Sequence, residues 1–217
     1  MPNIEDQDQA STYDSYAIGD IHGEVTLLKQ LLASLPYRPE DKLIFLGDYV
    51  DRGEDSAAVI RTLQELQQQH EHCIFLRGNH EDAWLEVWDG TAFQEQPLIE
   101  GALKVWKDCG GQVPAEIGQW LQTTRIDYED ANAYYVHAGV VPGKPFWSTA
   151  PFDKLWGPKG FMERDYNWGK PVVFGHWELP EPLLKAHKIG IDTGAWRTGT
   201  LTAVRLPDRK IFQVQRT

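Results

Sequence analysis

The sequence predicts an α/β fold, and three features of the chain support this prediction. Short apolar runs typical of buried strands recur along its 217 residues. In the first half, segments with apolar residues at helical spacing separate these runs, which predicts parallel strands joined by crossover helices. From Ala133 onward the runs follow one another more closely, so this part is predicted to be mostly β.

The first half predicts the order strand, helix, strand, helix, strand. The first helix is expected to end before Pro36, and its apolar positions are Leu28, Leu31, Leu32 and Leu35. The second helix has Ser56 as its predicted N-cap, and its apolar stripe is Val59, Ile60, Leu63 and Leu66. In open α/β sheets, ligands bind beyond the carboxyl ends of the parallel strands, so we expect functional residues there.

The middle of the chain, residues 81–121, lacks strand-like runs and is predicted to be a helical insertion. Its helical clusters are residues 84–88, 98–106 and 115–121. The later strands are predicted at residues 133–137, 171–175, 188–192, 201–206 and 210–215. No internal repeat or low-complexity linker divides the chain, so we expect a flexible tail over residues 1–14 and one domain over residues 15–217.

Composition and charge exclude several classes of protein. Hydrophobic residues make up 41% of the chain and charged residues 24%, which is typical of a globular domain. The net charge of -11, with no basic face, argues against a general binder of nucleic acid or of anionic membranes. Cys73 and Cys109 are too few for a disulfide framework. With no signal peptide and no stretch of transmembrane length, we expect a cytoplasmic monomer.

Five of the predicted strands end at a glycine beside aspartate, histidine or asparagine. The segments are Gly19-Asp20-Ile21-His22-Gly23, Gly47-Asp48-Tyr49-Val50-Asp51-Arg52-Gly53, Gly78-Asn79-His80-Glu81, His137-Ala138-Gly139 and Gly175-His176. A single Gly-Asp pair is usually only a turn, and a single histidine usually makes a structural hydrogen bond. The same arrangement at five strand ends has no simple packing explanation, so we interpret it as a metal site assembled on a rigid sheet.

The side chains in these segments indicate the kind of metal. They offer carboxylate and amide oxygens and imidazole nitrogens but no thiolate, a set that suits Mn, Fe, Zn or Co. Asp48 is the natural candidate to bridge two ions with its two oxygens. Paired ions can generate a hydroxide from water and neutralise a phosphate under attack. Arg52 offers a planar fork for phosphate oxygens, and His80 stands where a general acid would protonate a leaving oxygen.

In this order, the five segments resemble the motifs of the phosphoprotein phosphatase family of metallophosphoesterases. The resemblance runs from about Tyr16 to the end of the chain and is nearest to the small bacterial and phage members. The stretch Ile191-Asp192-Thr193-Gly194-Ala195 also resembles that subgroup. The resemblance implies a sandwich of two mixed β-sheets flanked by helices, with a dimetal site at the carboxyl ends of the strands.

The resemblance also assigns roles to individual residues. It implies six metal ligands: Asp20 and His22 on one ion, Asp48 as the bridge, and Asn79, His137 and His176 on the second ion. It makes His80 the general acid and Asp51 the residue that orients it. It also implies that Arg52 and Arg77 bind the phosphate. Two metal ions are expected as cofactors, with Mn the first choice in vitro and Fe or Zn the alternatives.

One departure from the family concerns phosphate binding. Small bacterial members usually carry a further arginine after a Leu-Trp pair, and no arginine stands there after Leu155-Trp156. Lys159 or Arg164 is the expected substitute for substrate binding. Trp177 and Trp196 are candidates for the walls of the substrate pocket. Glu81 and Asp82 are expected to cap the following helix rather than take part in the chemistry.

The predicted activity is metal-dependent phosphomonoester hydrolysis, with in-line attack by a metal-bridging hydroxide. The expected substrate is a phosphoprotein, as in a protein serine/threonine phosphatase, or a small phosphoester. One alternative is symmetrical hydrolysis of diadenosine tetraphosphate, but relatives with that activity often replace the residue that Asp51 matches. A second alternative is a pseudophosphatase that serves as a binding module. Such a protein would have lost a ligand or the general acid, and this sequence retains all of them.

Overall fold

The computed structural model describes residues 13–216, so most of the predicted N-terminal tail lies outside the described residues. The last two residues of that predicted tail, Tyr13 and Asp14, are packed against the domain. The backbone N–H of Asp14 donates to the Asp41 carboxylate over 2.8 Å, and Lys42 Nζ lies 4.0 Å from the centre of the Tyr13 ring. Both residues therefore contact the predicted domain, although the predicted tail includes them.

The structure contains two mixed sheets, as the family resemblance implies, and each has five strands within the described residues. The strands are β1 (Ser15–Ile18), β2 (Lys42–Phe45), β3 (Cys73–Phe75), β4 (Asp127–Glu129), β5 (Tyr134–Val136), β6 (Val172–Phe174), β7 (Leu183–Leu184), β8 (Lys188–Gly190), β9 (Thr200–Leu206) and β10 (Lys210–Gln215). The first sheet has the order β10-β9-β1-β2-β3 and the second β4-β5-β6-β8-β7. Strands β1, β2 and β3 run parallel to one another, as do β5, β6 and β8. Strand β9 is antiparallel to β1, β4 to β5 and β7 to β8, and β10 is antiparallel to β9.

Within residues 13–216, seven α-helices and one short 3-10 helix (Phe146–Ser148) connect and cover the sheets. The α-helices are α1 (Val25–Ser34), α2 (Ser56–Gln69), α3 (Asn79–Glu86), α4 (Ala102–Asp108), α5 (Ala115–Leu121), α6 (Pro151–Trp156) and α7 (Ala195–Thr198). The predicted N-cap of α2 is displaced by one residue, because the Asp55 carboxylate accepts from the Ala58 N–H over 2.8 Å. Ser56 is instead the first helical residue, and its hydroxyl accepts from the Asp51 N–H. Within the described residues, no helix is long and apolar enough to cross a bilayer.

The sandwich core lies between the two sheets. Inward-facing residues of the first sheet, such as Ala17 and Ile44, are fully buried in one cluster with Tyr135 and Val173 of the second sheet. The opposite face of the first sheet packs against α1 and α2, whose apolar stripes match the predicted positions. This burial holds the two sets of parallel strands in fixed register, so the loops at their carboxyl ends stand on a rigid base.

The sequence predicts the parallel strands well and the short connecting elements poorly. The apolar runs of β1, β2, β3, β5, β6 and β8 are each confirmed, as are α1 and α5. The structure adds β4, β7, α6 and α7, which are too short for a periodic signal. The predicted helical cluster at residues 98–106 begins only at Ala102, because Gly101 has φ 91° and cannot continue a right-handed helix.

Candidate metal centre

The structure gathers the six predicted metal ligands at the carboxyl ends of parallel strands from both sheets. In chain order, Asp20 and His22 follow β1, Asp48 follows β2, Asn79 follows β3, His137 follows β5, and His176 follows β6. All six are buried or nearly buried. Because the two sheets face each other, ligands from each reach one shared centre, as the contacts below show.

The backbone is strained at this centre. Among the described residues, six that are not glycine have positive φ, and five of these belong to the predicted site. Their φ values are 45° at His22, 53° at Asp48, 72° at Asp51, 66° at Arg52 and 61° at His176. Such conformations persist only where surrounding contacts enforce them, and they concentrate at functional sites. Here the backbone N–H of His22 donates to the Asp48 carbonyl over 2.8 Å, which holds two of the strained residues together.

Two of the motif glycines make room for ligand carboxylates. A Cβ atom on Gly78 would overlap Oδ1 of Asp48, and one on Gly175 would overlap Oδ1 of Asp20. Neither glycine has positive φ. The sequence interpretation of these glycines as turn residues is therefore incomplete, since the carboxylates pack directly on their Cα atoms. Gly47, with φ 102°, does need the freedom of glycine, and a Cβ atom there would also overlap the backbone of Gly78.

One group of ligand atoms is formed by Asn79, His137 and His176. Asn79 Oδ1 lies 3.0 Å from His137 Nε2 and 3.0 Å from His176 Nδ1. The two imidazole nitrogens are 3.2 Å apart. The Nδ1–H of His137 donates to the Leu46 carbonyl over 2.9 Å, so its Nε2 presents a lone pair when the ring is neutral. Burial lowers the pKa of His137, and burial together with the charge of His137 lowers the pKa of His176 to about 3.

A second group is formed by His22, Asp48 and His80. Their ligand atoms lie within 4.8 Å of one another, as do those of Asp48, His137 and His176. His22 Nδ1–H donates to the Val50 carbonyl over 2.8 Å, which turns Nε2 toward Asp48 Oδ2 at 3.3 Å. His137 Nε2 lies 3.5 Å from the other oxygen, Asp48 Oδ1. Asp48 therefore belongs to both groups through different oxygens, as expected of a bridging carboxylate.

Buried carboxylates also favour cations at this centre. The pKa of Asp20 is raised well above its usual range, mainly by burial and to a smaller extent by the charges of Asp192 and Asp48. Burial opposes ionisation of Asp48 too, but His137, His80 and His22 outweigh it and hold its pKa well below the usual range. Imidazole nitrogens, an amide oxygen and buried carboxylates thus converge at this centre. This donor set fits two divalent ions such as Mn, Fe or Zn, held by the six predicted ligands.

Asp192 was not predicted as a site residue. It follows β8, the third parallel strand of the second sheet, and its buried carboxylate accepts from the Gly194 N–H over 2.9 Å. The sequence carried a usable signal, since an apolar run again ends in an aspartate before a glycine.

The predicted general acid has the environment that its role requires. His80 Nδ1–H donates to Asp51 Oδ2 over 2.7 Å, so its Nε2 is free to face the centre. The second oxygen of Asp51 accepts from Trp84 Nε1 over 3.0 Å, and Asp51 is fully buried. Burial opposes protonation of His80, but Asp48 and Asp51 outweigh it and raise its pKa above the usual value. Asp51 therefore contacts His80 directly, and its orienting role stays a prediction.

Glu81 has a larger part than the predicted helix cap. Its buried carboxylate accepts from the N–H of Gly78 over 2.9 Å, which is the predicted cap. It also accepts from three N–H groups of the second motif: those of Asp48 (2.7 Å), Tyr49 (2.8 Å) and Val50 (3.3 Å). Burial and the charge of Asp48 raise the pKa of Glu81 to about 7, against these donors. Glu81 thus fixes the backbone that carries the bridging ligand.

The two predicted phosphate-binding arginines differ in position. Arg52 lies at the centre, because its Nη1 donates to His22 Nε2 over 2.9 Å. Arg77 is turned toward Thr124 and Asp82, with Nε donating to Thr124 Oγ1 over 3.3 Å and Nη1 3.4 Å from Asp82 Oδ1. Asp82 is therefore an ion-pair partner of Arg77. Phosphate binding by Arg77 stays a prediction.

Lys159 and Arg164 lie apart from the ligands. They are exposed and line a shallow cavity with Val141, Pro142 and Glu163. Among the described residues, neither side chain makes a hydrogen bond or ion pair with a predicted ligand, so their role in substrate binding stays a prediction.

Both tryptophans proposed as pocket walls lie beside site residues. The ring centres of Trp177 and His176 are 5.3 Å apart. The guanidinium carbon of Arg52 lies 5.3 Å from the centre of the Trp196 ring. This contact is within the range of a cation–π interaction and gives Arg52 a flat apolar wall.

Comparison with known proteins is consistent with this geometry. The family model of the calcineurin-like phosphoesterases matches residues 15–188. The chain is 27% identical to an asymmetrical bis(5'-nucleosyl)-tetraphosphatase of Anoxybacillus flavithermus, over 92% of this chain and 93% of that protein. It is 26% identical to a symmetrical bis(5'-nucleosyl)-tetraphosphatase of Nitrosospira multiformis, over 92% and 95%. The crystal structure of a putative diadenosine tetraphosphatase superposes with a TM-score of 0.76 at 22% identity, covering 100% and 96% of the two chains.

Proposed function

The chain belongs to the calcineurin-like phosphoesterase family, and we propose that it is a metal-dependent bis(5'-nucleosyl)-tetraphosphatase. The observation that carries the proposal is the pair of ligand groups that share Asp48, since this is the arrangement of a two-metal phosphoester hydrolase. The substrate class is supported by relatives of this name that match over nearly their whole length. Symmetrical hydrolysis of diadenosine tetraphosphate is the alternative to protein phosphatase that the sequence leaves open, and the names of the relatives favour tetraphosphate hydrolysis over the phosphatase hypothesis.

The proposed mechanism follows from the positions of the side chains. Asp20, His22, Asp48, Asn79, His137 and His176 would hold the two metal ions. When bound, such ions lower the pKa of water to give the attacking nucleophile and neutralise charge on the phosphate. Arg52 would bind two oxygens of the reacting phosphate through its planar fork. His80, oriented by Asp51, would give its proton to the leaving oxygen.

The proposed substrate and a phosphoprotein have different leaving groups. Cleavage of a tetraphosphate chain releases a phosphate oxygen, which is a weaker base than the alkoxide released from phosphoserine. A weaker base needs less protonation in the transition state. Hydrolysis of a dinucleoside tetraphosphate would therefore depend less on His80 than hydrolysis of a phosphoprotein would.

Protein phosphatase activity stays as a second candidate because of one observation. The Asp51–His80 pair is complete, buried and hydrogen-bonded over 2.7 Å. An oriented acid of this kind is most useful when the leaving group is a strong base such as an alkoxide. We therefore expect measurable but slower hydrolysis of phosphopeptides and of p-nitrophenyl phosphate.

A substrate panel tests the proposal. The protein, loaded with Mn, is assayed with diadenosine tetraphosphate, phosphoserine and phosphotyrosine peptides, and p-nitrophenyl phosphate, and the nucleotide products are separated. We expect kcat/KM for the dinucleotide to exceed that for the peptides by at least about tenfold, or about 1.4 kcal/mol. Two molecules of ADP would show symmetrical cleavage, and ATP with AMP asymmetrical cleavage. A preference for the peptides would refute the proposed substrate and support the second candidate.

A further inference from the structure

Arg52 has a partner that neither the sequence nor the proposed mechanism accounts for. Its Nη2 lies 3.1 Å from Oε2 of Glu100, a residue of the helical insertion. The two remaining sides of the guanidinium group face His22 and the Trp196 ring. Thus a carboxylate already lies against the arginine that is expected to bind the substrate phosphate.

The contact with Glu100 uses only part of one edge of the arginine. Nε and Nη2 donate side by side along that edge, and a phosphate or carboxylate can accept from both at once. Glu100 approaches Nη2, but the buried Nε of Arg52 has no hydrogen-bond partner. An unpaired buried donor is unfavourable, so the resting arrangement leaves Arg52 incompletely satisfied. A phosphate with two oxygens on this edge would satisfy both donors.

The position of Glu100 also makes it easy to displace. Its side chain is 70% exposed, whereas that of Arg52 is 23% exposed. The residue after it, Gly101, sits directly against the backbone of Arg52, and a Cβ atom there would overlap the Arg52 nitrogen. Gly101 has φ 91°, a conformation that glycine adopts without strain. The main chain therefore holds Glu100 beside Arg52, while its carboxylate can turn out into solvent.

We propose that Glu100 is a displaceable counter-ion of Arg52, which occupies the phosphate-binding edge at rest and is exchanged for a phosphate group of the ligand. This inference rests on the proposed function only in taking a phosphate group as the ligand of Arg52. A phosphate group can therefore bind this edge of Arg52 only after the ion pair between Arg52 and Glu100 has broken. Glu100 therefore weakens binding of all phosphate ligands, including the products, and helps them to leave.

The opposite role for Glu100 would be to position Arg52 for the substrate. In that case its removal would loosen the arginine and weaken phosphate binding. The two roles thus predict changes of opposite sign in the same measurement.

Calorimetric titration with inorganic phosphate tests the proposal without relying on turnover. Mn-loaded wild type is compared with Glu100→Gln and with Glu95→Gln, an exposed glutamate of the same insertion that has no ion pair among the described residues. An exposed ion pair contributes about 0.2–1 kcal/mol, so we expect Glu100→Gln to bind phosphate up to about fivefold more tightly. Glu95→Gln should bind as wild type does. Thermal unfolding and metal content confirm that the variants are folded and loaded.

A double-mutant cycle with Arg52→Gln shows whether the effect passes through this arginine. In the Arg52→Gln background, adding Glu100→Gln should leave the phosphate Kd unchanged. Equal tightening in Glu95→Gln, or tightening that persists without Arg52, would overturn the proposal in favour of a general charge effect. Unchanged or weaker binding by Glu100→Gln would overturn it as well. These results do not depend on which ester the enzyme cleaves. The proposed substrate can therefore be refuted while the proposed role of Glu100 is confirmed, and the reverse.

Discussion

Replacing Glu81 by glutamine should destabilise both the domain and its metal centre. One carboxylate oxygen of Glu81 accepts from the N–H groups of Asp48 and Gly78, and the other from those of Tyr49 and Val50. An amide nitrogen in place of either oxygen would face two buried N–H groups and could accept from neither. Each buried donor left unpaired costs about 1–3 kcal/mol. The expected loss is therefore about 2–6 kcal/mol, a large part of the stability of a typical domain.

Urea unfolding followed by tryptophan fluorescence measures this loss, and elemental analysis measures the bound metal. For a domain of this size the loss corresponds to a Tm lower by about 5–20 °C. Metal content should fall as well, because Glu81 holds the backbone of Asp48. Glu116→Gln, an exposed glutamate in the first turn of α5, is the matched control and should change stability by less than about 1 kcal/mol. Wild-type stability and metal content in Glu81→Gln would refute this account of the carboxylate.

Three further outcomes are expected. Chelation should abolish hydrolysis by the wild-type protein, and Mn should restore it. The Asp48→Asn variant should lose bound metal and stay inactive when Mn is added. Full activity of verified metal-free protein would contradict this. His80→Asn should lower kcat by roughly 10²–10⁴-fold on phosphoserine peptides and by less on p-nitrophenyl phosphate, and the variant protein should still bind metal. Equal losses on both substrates would argue against His80 as the acid. Lys188→Met should lower the free energy of unfolding by about 1–3 kcal/mol with little change in kcat. The reason is that the buried Nζ of Lys188 donates to the carbonyls of Phe161 and Arg164 rather than to the site. Unchanged stability would contradict this structural role.

The candidate metal ligands could be located from the sequence because each is encoded locally. An apolar run, a glycine and a polar side chain specify a strand end and the group placed there, and parallel strands bring such ends together. Asp20, Asp48 and His176 were found in this way, and the structure confirms that they share one region. Asp192 follows the same pattern but lies on the last parallel strand, where the run of apolar residues is short.

The supporting contacts could not be predicted because they join distant parts of the chain. Glu81 lies 33 residues from Asp48, and only the folded loops bring its carboxylate to the backbone of the second motif. Glu100 reaches Arg52 from an insertion whose path the sequence does not define. The same limit applies to Arg77, since its partner Thr124 lies 47 residues away. Local sequence therefore specified the reactive groups, and tertiary contacts decided which of them are free to meet a substrate.

The charge of the centre explains why metal and phosphate binding should depend on each other. The protein has a net charge of -11, and its site buries the carboxylates of Asp20, Asp48, Asp51 and Asp192. A tetraphosphate chain would be repelled by these groups unless positive charge offsets them. Arg52 provides one such charge but is shared with Glu100 at rest. Bound metal ions must provide the rest, so a dinucleotide substrate should bind weakly to the metal-free protein and much more tightly once both ligand groups are filled.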